Sequence, residues 1–273
     1  MADIPTWKEI EILNQYKKGF GRRILESLSG YRAERITAGS VVFIKKSHEA
    51  DVWFSYNTQV REAIKKSQID VVIDVGANVG QFAGWVRSFF AGPILSFEPV
   101  SSAFGELATA AEGDSTWHVY QLALGSLQGS TPINVSPSSI FSSVLRTNEY
   151  CGQRFGDDSL QRTEEIVEMR RLDNLGADID HLIENKRIFL KIDTQGYDLE
   201  VFKGLGRLMN HVHVLQSEVS LISLYDGMPN WTESVSTFSN AGFRVVGLFP
   251  VVKDGGQVIE YDCLMVNKRL AES

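Results

Sequence analysis

DVVIDVGANVG, at residues 70–80, is a short apolar run that ends in an acid, Asp74, and passes into a glycine turn. ILSFEP, at residues 94–99, is a second apolar run that ends in Glu98. Between them, QFAGWVRSFFAG sets Phe82, Trp85, Val86 and Phe89 on one side of a helix. This is a strand–turn–helix–strand unit, and such a unit presents a ligand site at the carboxyl ends of its strands.

Outward from that unit the pattern keeps alternating. Ser101 can cap a helix carrying Phe104, Leu107, Ala108 and Ala111 at helical spacing. WHVYQLALG, residues 117–125, reads as a third strand, and RIFLKID, residues 187–193, as a fourth. TPINVS and IVEMRRLDNL read as further strands around a polar loop, and residues 199–209 as a helix. HVLQSEVS, FRVVGLFPV and YDCLMVNK close the series, the last two joined by KDGGQ, a turn that suits a hairpin. Strands alternating with helices predict an α/β fold with a mainly parallel, doubly wound sheet that ends in an antiparallel hairpin. Residues 1–67 read as an N-terminal cap: a charged helix-like segment, the strand SVVFIKK, then a helix with Val60 and Ile64 on one face. No Pro/Gly/Ser linker separates it from residues 68–273, so it is expected to pack on that main domain.

The formal charge is −7 and 22% of residues are charged, values of an ordinary globular protein without the basic surface that nucleic acid requires. No window approaches the roughly 18 apolar residues of a membrane span. The N-terminal sequence lacks the features of a secretory signal. Cys151 and Cys263 form no C-x-x-C pair, so a reducing cytoplasm fits best.

A dinucleotide turn needs G-x-G-x-x-G, whose second glycine lets the backbone approach a pyrophosphate. Here Asn78 stands at that glycine, in Gly76-Ala77-Asn78-Val79-Gly80, and no phosphate loop of the G-x-x-x-x-G-K-[ST] type occurs. Asp74 is placed to accept from an ammonium or water near the turn, and Glu98 to accept two ribose hydroxyls. A ribose, a cation and no pyrophosphate describe S-adenosylmethionine. The competing reading makes Asp74 a turn cap and Glu98 a solvated acid; both acids ending strongly apolar strands favours the ligand reading.

The second cluster of signals is LKIDTQGYDLEVFKG, residues 190–204. Lys191 and Asp193 alternate by two and share one face of a strand. Lys191 reads either as a functional group or as a structural partner of Asp193 or Glu200; for Asp193, at the strand end, the functional reading leads. Glu218 ends the next strand in the same way, so Asp193 and Glu218 could hold a divalent cation or a substrate hydroxyl, although two carboxylates make a thin metal site. His211 and His213 lie at the opposite strand end, and no zinc motif or hydrolase nucleophile elbow is present. Ser142 and Ser143 could line a pocket or satisfy a turn. The long polar run 146–165 reads as a substrate loop, with Tyr150, Arg154 and Phe155 its most useful side chains.

VIDVGANVG, FEP, ALGS, FSSVL, LKIDTQGYDLEVFKG, SEVSLISLYDG and DCLMVNK, in this order, resemble the FkbM family of S-adenosylmethionine-dependent methyltransferases. The resemblance covers most of the chain from about residue 70. It implies a class I methyltransferase (Rossmann-like) fold with strand order 3-2-1-4-5-7-6 and the last strand antiparallel, and O-methylation of a sugar or polyketide hydroxyl. It further implies that Asp74, Gly76, Ala77, Asn78 and Gly80 wrap the methionine end of the cofactor, that Glu98 holds the ribose, and that the backbone around Ala123 and Leu124 flanks the adenine. Asp193 would then stand beside the methyl path. The family's D-x-E-G reads Asp193-Thr194-Gln195-Gly196 here, and Ser220 stands where the family often has histidine. These departures weaken the case for a metal and leave room for a non-catalytic, cofactor-binding partner subunit. A nicotinamide oxidoreductase is a further rival, opposed by the missing glycine. The expected activity is methyl transfer to a hydroxyl of a small molecule, with Asp193, Glu218 and Lys191 as the chemical groups and no nucleic acid or membrane partner.

Overall fold

A computed structural model of the chain describes residues 31–37, 40–45, 48–268 and 270. The helix-like segment expected near the N-terminus lies outside them. The first described elements are an antiparallel hairpin of β1 (Tyr31–Thr37) and β2 (Ser40–Lys45), followed by α1 (His48–Lys66). Sequence reading anticipates β2 and α1 but not β1.

The main sheet is built from β3 (Val71–Val75), β4 (Ile94–Phe97), β5 (Trp117–Tyr120), β9 (Ile188–Ile192), β10 (Val212–Ser220), β11 (Phe243–Asp254) and β12 (Gln257–Asn267). Its order is β11-β12-β10-β9-β3-β4-β5, with β12 antiparallel to both neighbours and the β10-β9-β3-β4-β5 pairings parallel. The order 3-2-1-4-5-7-6 and the antiparallel last strand are as expected. The turn in KDGGQ joins β11 to β12, as its glycines require.

Helices cover both faces, so the central strands are apolar on both. Val71, Ile73 and Val75 of β3 face α5 (Ala177–Ile183), α6 (Asp198–Lys203) and α7 (Trp231–Asn240), packing with Ile179, Phe202 and Phe238. Val72 faces α1, α2 (Gln81–Arg87) and α3 (Ser101–Ala111), among Val60, Trp85 and Leu107. Tyr56 fixes α1 to this face: its ring lies 5.7 Å from Trp85 and 5.3 Å from Phe249, and its hydroxyl bonds Gln216.

Several expectations are corrected. Val100, not Ser101, is the N-cap of α3. The helix expected over 199–209 ends at Lys203 and is followed by a 3₁₀ turn at Gly206–His211, and the strand in IVEMRRLDNL ends at Arg170. WHVYQLALG is not a single strand: β5 ends at Tyr120, and Ala123–Leu124 (β6) leaves the main sheet. β6 pairs parallel with β8 (Thr163–Arg170), which pairs antiparallel with β7 (Gly129–Val135), making a separate three-stranded sheet. The segment between β7 and β8 is structured. It holds a 3₁₀ turn at Ser139–Phe141 and α4 (Glu149–Phe155), capped by Asn148 Oδ1 accepting from the Cys151 N–H at 3.0 Å.

Candidate active site

The carboxyl ends of β3 and β9 nearly touch. Gly76 takes φ +75°, and a Cβ there would fall 1.8 Å from the Asp193 carbonyl oxygen, so only glycine fits. The N–H groups of Gly76 and Ala77 donate to Phe97 O, each at 3.0 Å. Asn78 is also left-handed (φ +49°), and its N–H donates to Glu98 Oε2 at 2.8 Å. Val100 N–H donates to the other oxygen at 2.9 Å. Glu98 is only 6% exposed. It is therefore not a solvated acid; burial pushes its carboxyl up to about 7 against the pull of those two N–H donors. Each oxygen accepts one backbone bond and keeps capacity for another, as a diol clamp requires.

A cavity of about 410 Å³ opens beside this turn. Its walls include Gly76, Asn78, Glu98, Ala123 and Leu124 together with Asp193, Gln195, Glu218 and Glu260. Ser142, Phe141, Arg154 and Phe155 from the β7–β8 segment line it as well. Ser139 Oγ donates to Asn78 Oδ1 at 2.8 Å and ties that segment to the glycine turn. Tyr150 is not among the lining residues; its hydroxyl donates to Asp254 at 3.3 Å.

Asp193 and Glu218 are brought together. Asp193 Oδ2 accepts from Lys191 Nζ at 3.0 Å, and its Oδ1 accepts from Gln195 Nε2 at 3.0 Å. The same nitrogen donates to Glu218 Oε2 at 3.2 Å, while Tyr225 donates to Gln195 Oε1 at 2.8 Å. Burial, with Glu260 next, pushes the Glu218 carboxyl well above its ordinary value. Burial also takes Glu260 to about 7, although the Ser220 hydroxyl donates to it at 2.7 Å. Ser220, at the position of the expected histidine, thus serves an acid on the neighbouring strand.

Four sequence-derived candidates lie behind the cavity wall. Asp74 is fully buried, with Lys191 Nζ 3.5 Å away as its counter-ion and no hydrogen-bond partner for its oxygens among the described residues. Lys191 does not line the cavity; its ammonium sits between Asp74 and Asp193, 5.2 Å from the Phe82 ring centroid. Burial opposes its charge, but Asp193 and Asp74 more than offset this and hold it above the ordinary lysine range. The strand is buried on both faces, so period-two spacing pairs Lys191 with Asp193 without showing that the lysine points inward. Ala77 is buried, and Gly80 stands at the start of α2 against Leu107 and Trp117. Sequence reading missed Tyr225, although it lies within SEVSLISLYDG, Glu260, which no quoted motif contains, and the bridging role of Gln195. Asp198 was also missed. It is buried, accepts from Ser217 and Thr194, and burial takes it to about 7. Among the described residues no group of three or more His, Cys, Asp or Glu is arranged to hold a metal ion.

The sheet order, the antiparallel β12 and the cavity at the carboxyl edge define a class I methyltransferase architecture. The family described as Methyltransferase FkbM domain matches residues 74–245. The chain belongs to this FkbM family of S-adenosylmethionine-dependent methyltransferases. No curated protein matches it. Among solved structures it is similar to magnesium protoporphyrin IX methyltransferase from Synechocystis PCC 6803 with bound SAM, at 9% identity and TM-score 0.43, over 80% of this chain and 81% of that one. It is also similar to Aeropyrum pernix fibrillarin with natively bound S-adenosyl-L-methionine, at 11% identity and TM-score 0.42, over 88% and 84% of the two chains.

Proposed function

We propose that this methyltransferase acts on a hydroxyl of a small molecule such as a sugar, glycan or polyketide. The observation that carries this reading is one cavity joining Glu98 to the Asp193–Glu218 pair. S-adenosylmethionine supplies an electrophilic sulfonium methyl group when bound. Its fit rests on Glu98: a buried carboxylate with an accepting position left on each oxygen suits a ribose diol, and the size of the cavity suits a cofactor-sized ligand. Gly76 and Asn78 would border the amino-acid part, and Ala123 and Leu124 the base.

Asp193 orients the acceptor hydroxyl. With the cofactor bound, the acceptor oxygen's electron pair would form the new O–CH₃ bond as the sulfonium S–CH₃ bond breaks with its pair kept on sulfur, leaving a neutral thioether. The hydroxyl proton would pass to Asp193, with Glu218 as the second acceptor. Holding the two centres in line provides much of the acceleration. Phe141 and Phe155 supply apolar wall and exclude water. No helix among the described residues is long and apolar enough to cross a membrane. The two free buried cysteines, Cys151 and Cys263, support a reducing, cytoplasmic setting.

The test is transfer of tritiated methyl from S-adenosylmethionine to a panel of monosaccharides, oligosaccharides and hydroxylated polyketides. Asp193→Ala is expected to abolish transfer while calorimetric cofactor binding survives. Unchanged transfer would remove Asp193 from the chemistry; failure of the wild type on hydroxyls, with transfer to amines instead, would remove O-methylation.

A further inference from the structure

Gln195 holds a backbone conformation that side chains rarely adopt, φ +53°, followed by Gly196 at φ +88°. Such a residue persists only where its surroundings fix it. The β7–β8 segment fixes this one: Ser143 Oγ donates to the Gln195 carbonyl at 2.8 Å. Gly196 is pressed against Met228, Leu145 and Tyr225, where a Cβ would meet atoms at 3.0–3.4 Å.

A glutamine amide has two N–H donors and one acceptor oxygen. All three functions are used here. The nitrogen donates to Asp193 Oδ1 at 3.0 Å and to Glu218 Oε2 at 3.2 Å. The oxygen accepts from Tyr225, whose ring is 1% exposed and whose hydroxyl lies 3.4 Å from Phe141 O. Ionised carboxylates only accept, so the NH₂ faces them; in the reverse orientation the amide oxygen would stand against both acids and the bonds to them would be lost. Two carboxylates this close repel one another when both are charged. A neutral double donor between them offsets that repulsion without adding a charge. A glutamate at this position could donate to one acid when protonated and to neither when ionised.

We propose that Gln195 is the positioning residue of this site: its amide NH₂ holds Asp193 and Glu218 together at the cavity wall, while Tyr225 anchors its amide oxygen. The functional part rests on the methyl-transfer reading above; the geometric part does not. Gln195 does not need to touch substrate. It acts through the two acids.

The experiment uses the full chain labelled with ¹⁵N-glutamine, the Gln195 amide pair being assigned by its loss in Gln195→Met. Both amide protons are expected downfield and protected from exchange. Asp193→Asn should move one, Glu218→Gln the other, and Tyr225→Phe should broaden both. In the tritium assay Gln195→Met should transfer methyl about 100-fold more slowly, the scale of a roughly 1 Å misplacement, with cofactor affinity within twofold of wild type. If Gln195→Met does not fold by circular dichroism, Tyr225→Phe carries the same expectation with a smaller loss. The proposal is overturned if the amide pair resonates and exchanges like a solvent-exposed glutamine and ignores both acid variants. Transfer by the folded Gln195→Met variant within twofold of wild type overturns it too. A wild-type protein that methylates nothing on the panel would count against the hydroxyl reading, while the amide spectrum would still decide the geometry.

Discussion

The Lys191 ammonium stands 3.0 Å from Asp193 Oδ2, on the far side of that carboxylate from the cavity, and its other neighbour is Asp74 at 3.5 Å. The register explains this. Asp74, Lys191 and Gln216 lie opposite one another on β3, β9 and β10, forming a polar rung inside an apolar sheet. Lys191 therefore fixes the pose of Asp193 from behind.

Lys191→Met should destabilise the chain by about 3–5 kcal/mol, because Asp74 is left buried without a cation. Adding Asp74→Leu to that variant should recover most of the loss, since two matched apolar side chains replace a buried pair. Urea unfolding of the three proteins reads both effects. A single-variant cost below about 1 kcal/mol would show that the pair is not the buried counter-ion system described.

Stability should fall as pH rises from about 5 to 7. Glu98 and Glu260 move from an ordinary 4.5 to about 7 on folding, Asp198 from 3.8 to about 7, and Asp262 from 3.8 to about 6. Between those limits the folded chain binds more protons than the unfolded chain, so each added pH unit favours unfolding until the groups are ionised in both states. Asp70, Asp173 and Glu200 are held below their ordinary values, chiefly by bonds from Arg187, Arg171 and Lys203, so their contribution is lost only in stronger acid. The melting temperature should peak near pH 5 and be lower at pH 8. A continuous rise from pH 5 to pH 8 would contradict the burial assigned to these carboxyls.

Gly76→Ala tests the contact between the β3 and β9 ends. The added methyl would stand 1.8 Å from a backbone oxygen at φ +75°, so neither side can yield cheaply. A loss of about 3 kcal/mol or more is expected, from strain and overpacking together. Thermal unfolding with a change under about 0.5 kcal/mol would mean that the two turns do not meet as described.

Much of this fold is legible in the sequence where local pattern and sheet position agree. The run from Asp70 to Pro99 announces strand, turn, helix and strand, and Gly255-Gly256 announces the final hairpin. Legibility fails where the partner strand decides. Tyr120 and Ala123 belong to one apolar run, yet the chain changes sheets between them because Ala123 and Leu124 pair with Met169 and Arg170. The site divides similarly. Glu98 and Asp193 are readable because each ends an apolar strand. Glu260 is not, because its place follows from standing opposite Ser220 across β10 and β12. Tyr225 sits in a loop where it meets Gln195 only through the tertiary fold, and Lys191 lies on a strand whose two faces are equally buried.

The most direct measurement is calorimetric titration of the full chain with S-adenosylmethionine, beside the Glu98→Ala variant. One-to-one binding by the wild type, weakened about tenfold or more once the buried carboxylate is removed, is the expected result. No heat from a folded wild-type protein, or equal affinity in the two, would contradict a cofactor held at the end of β4 by Glu98.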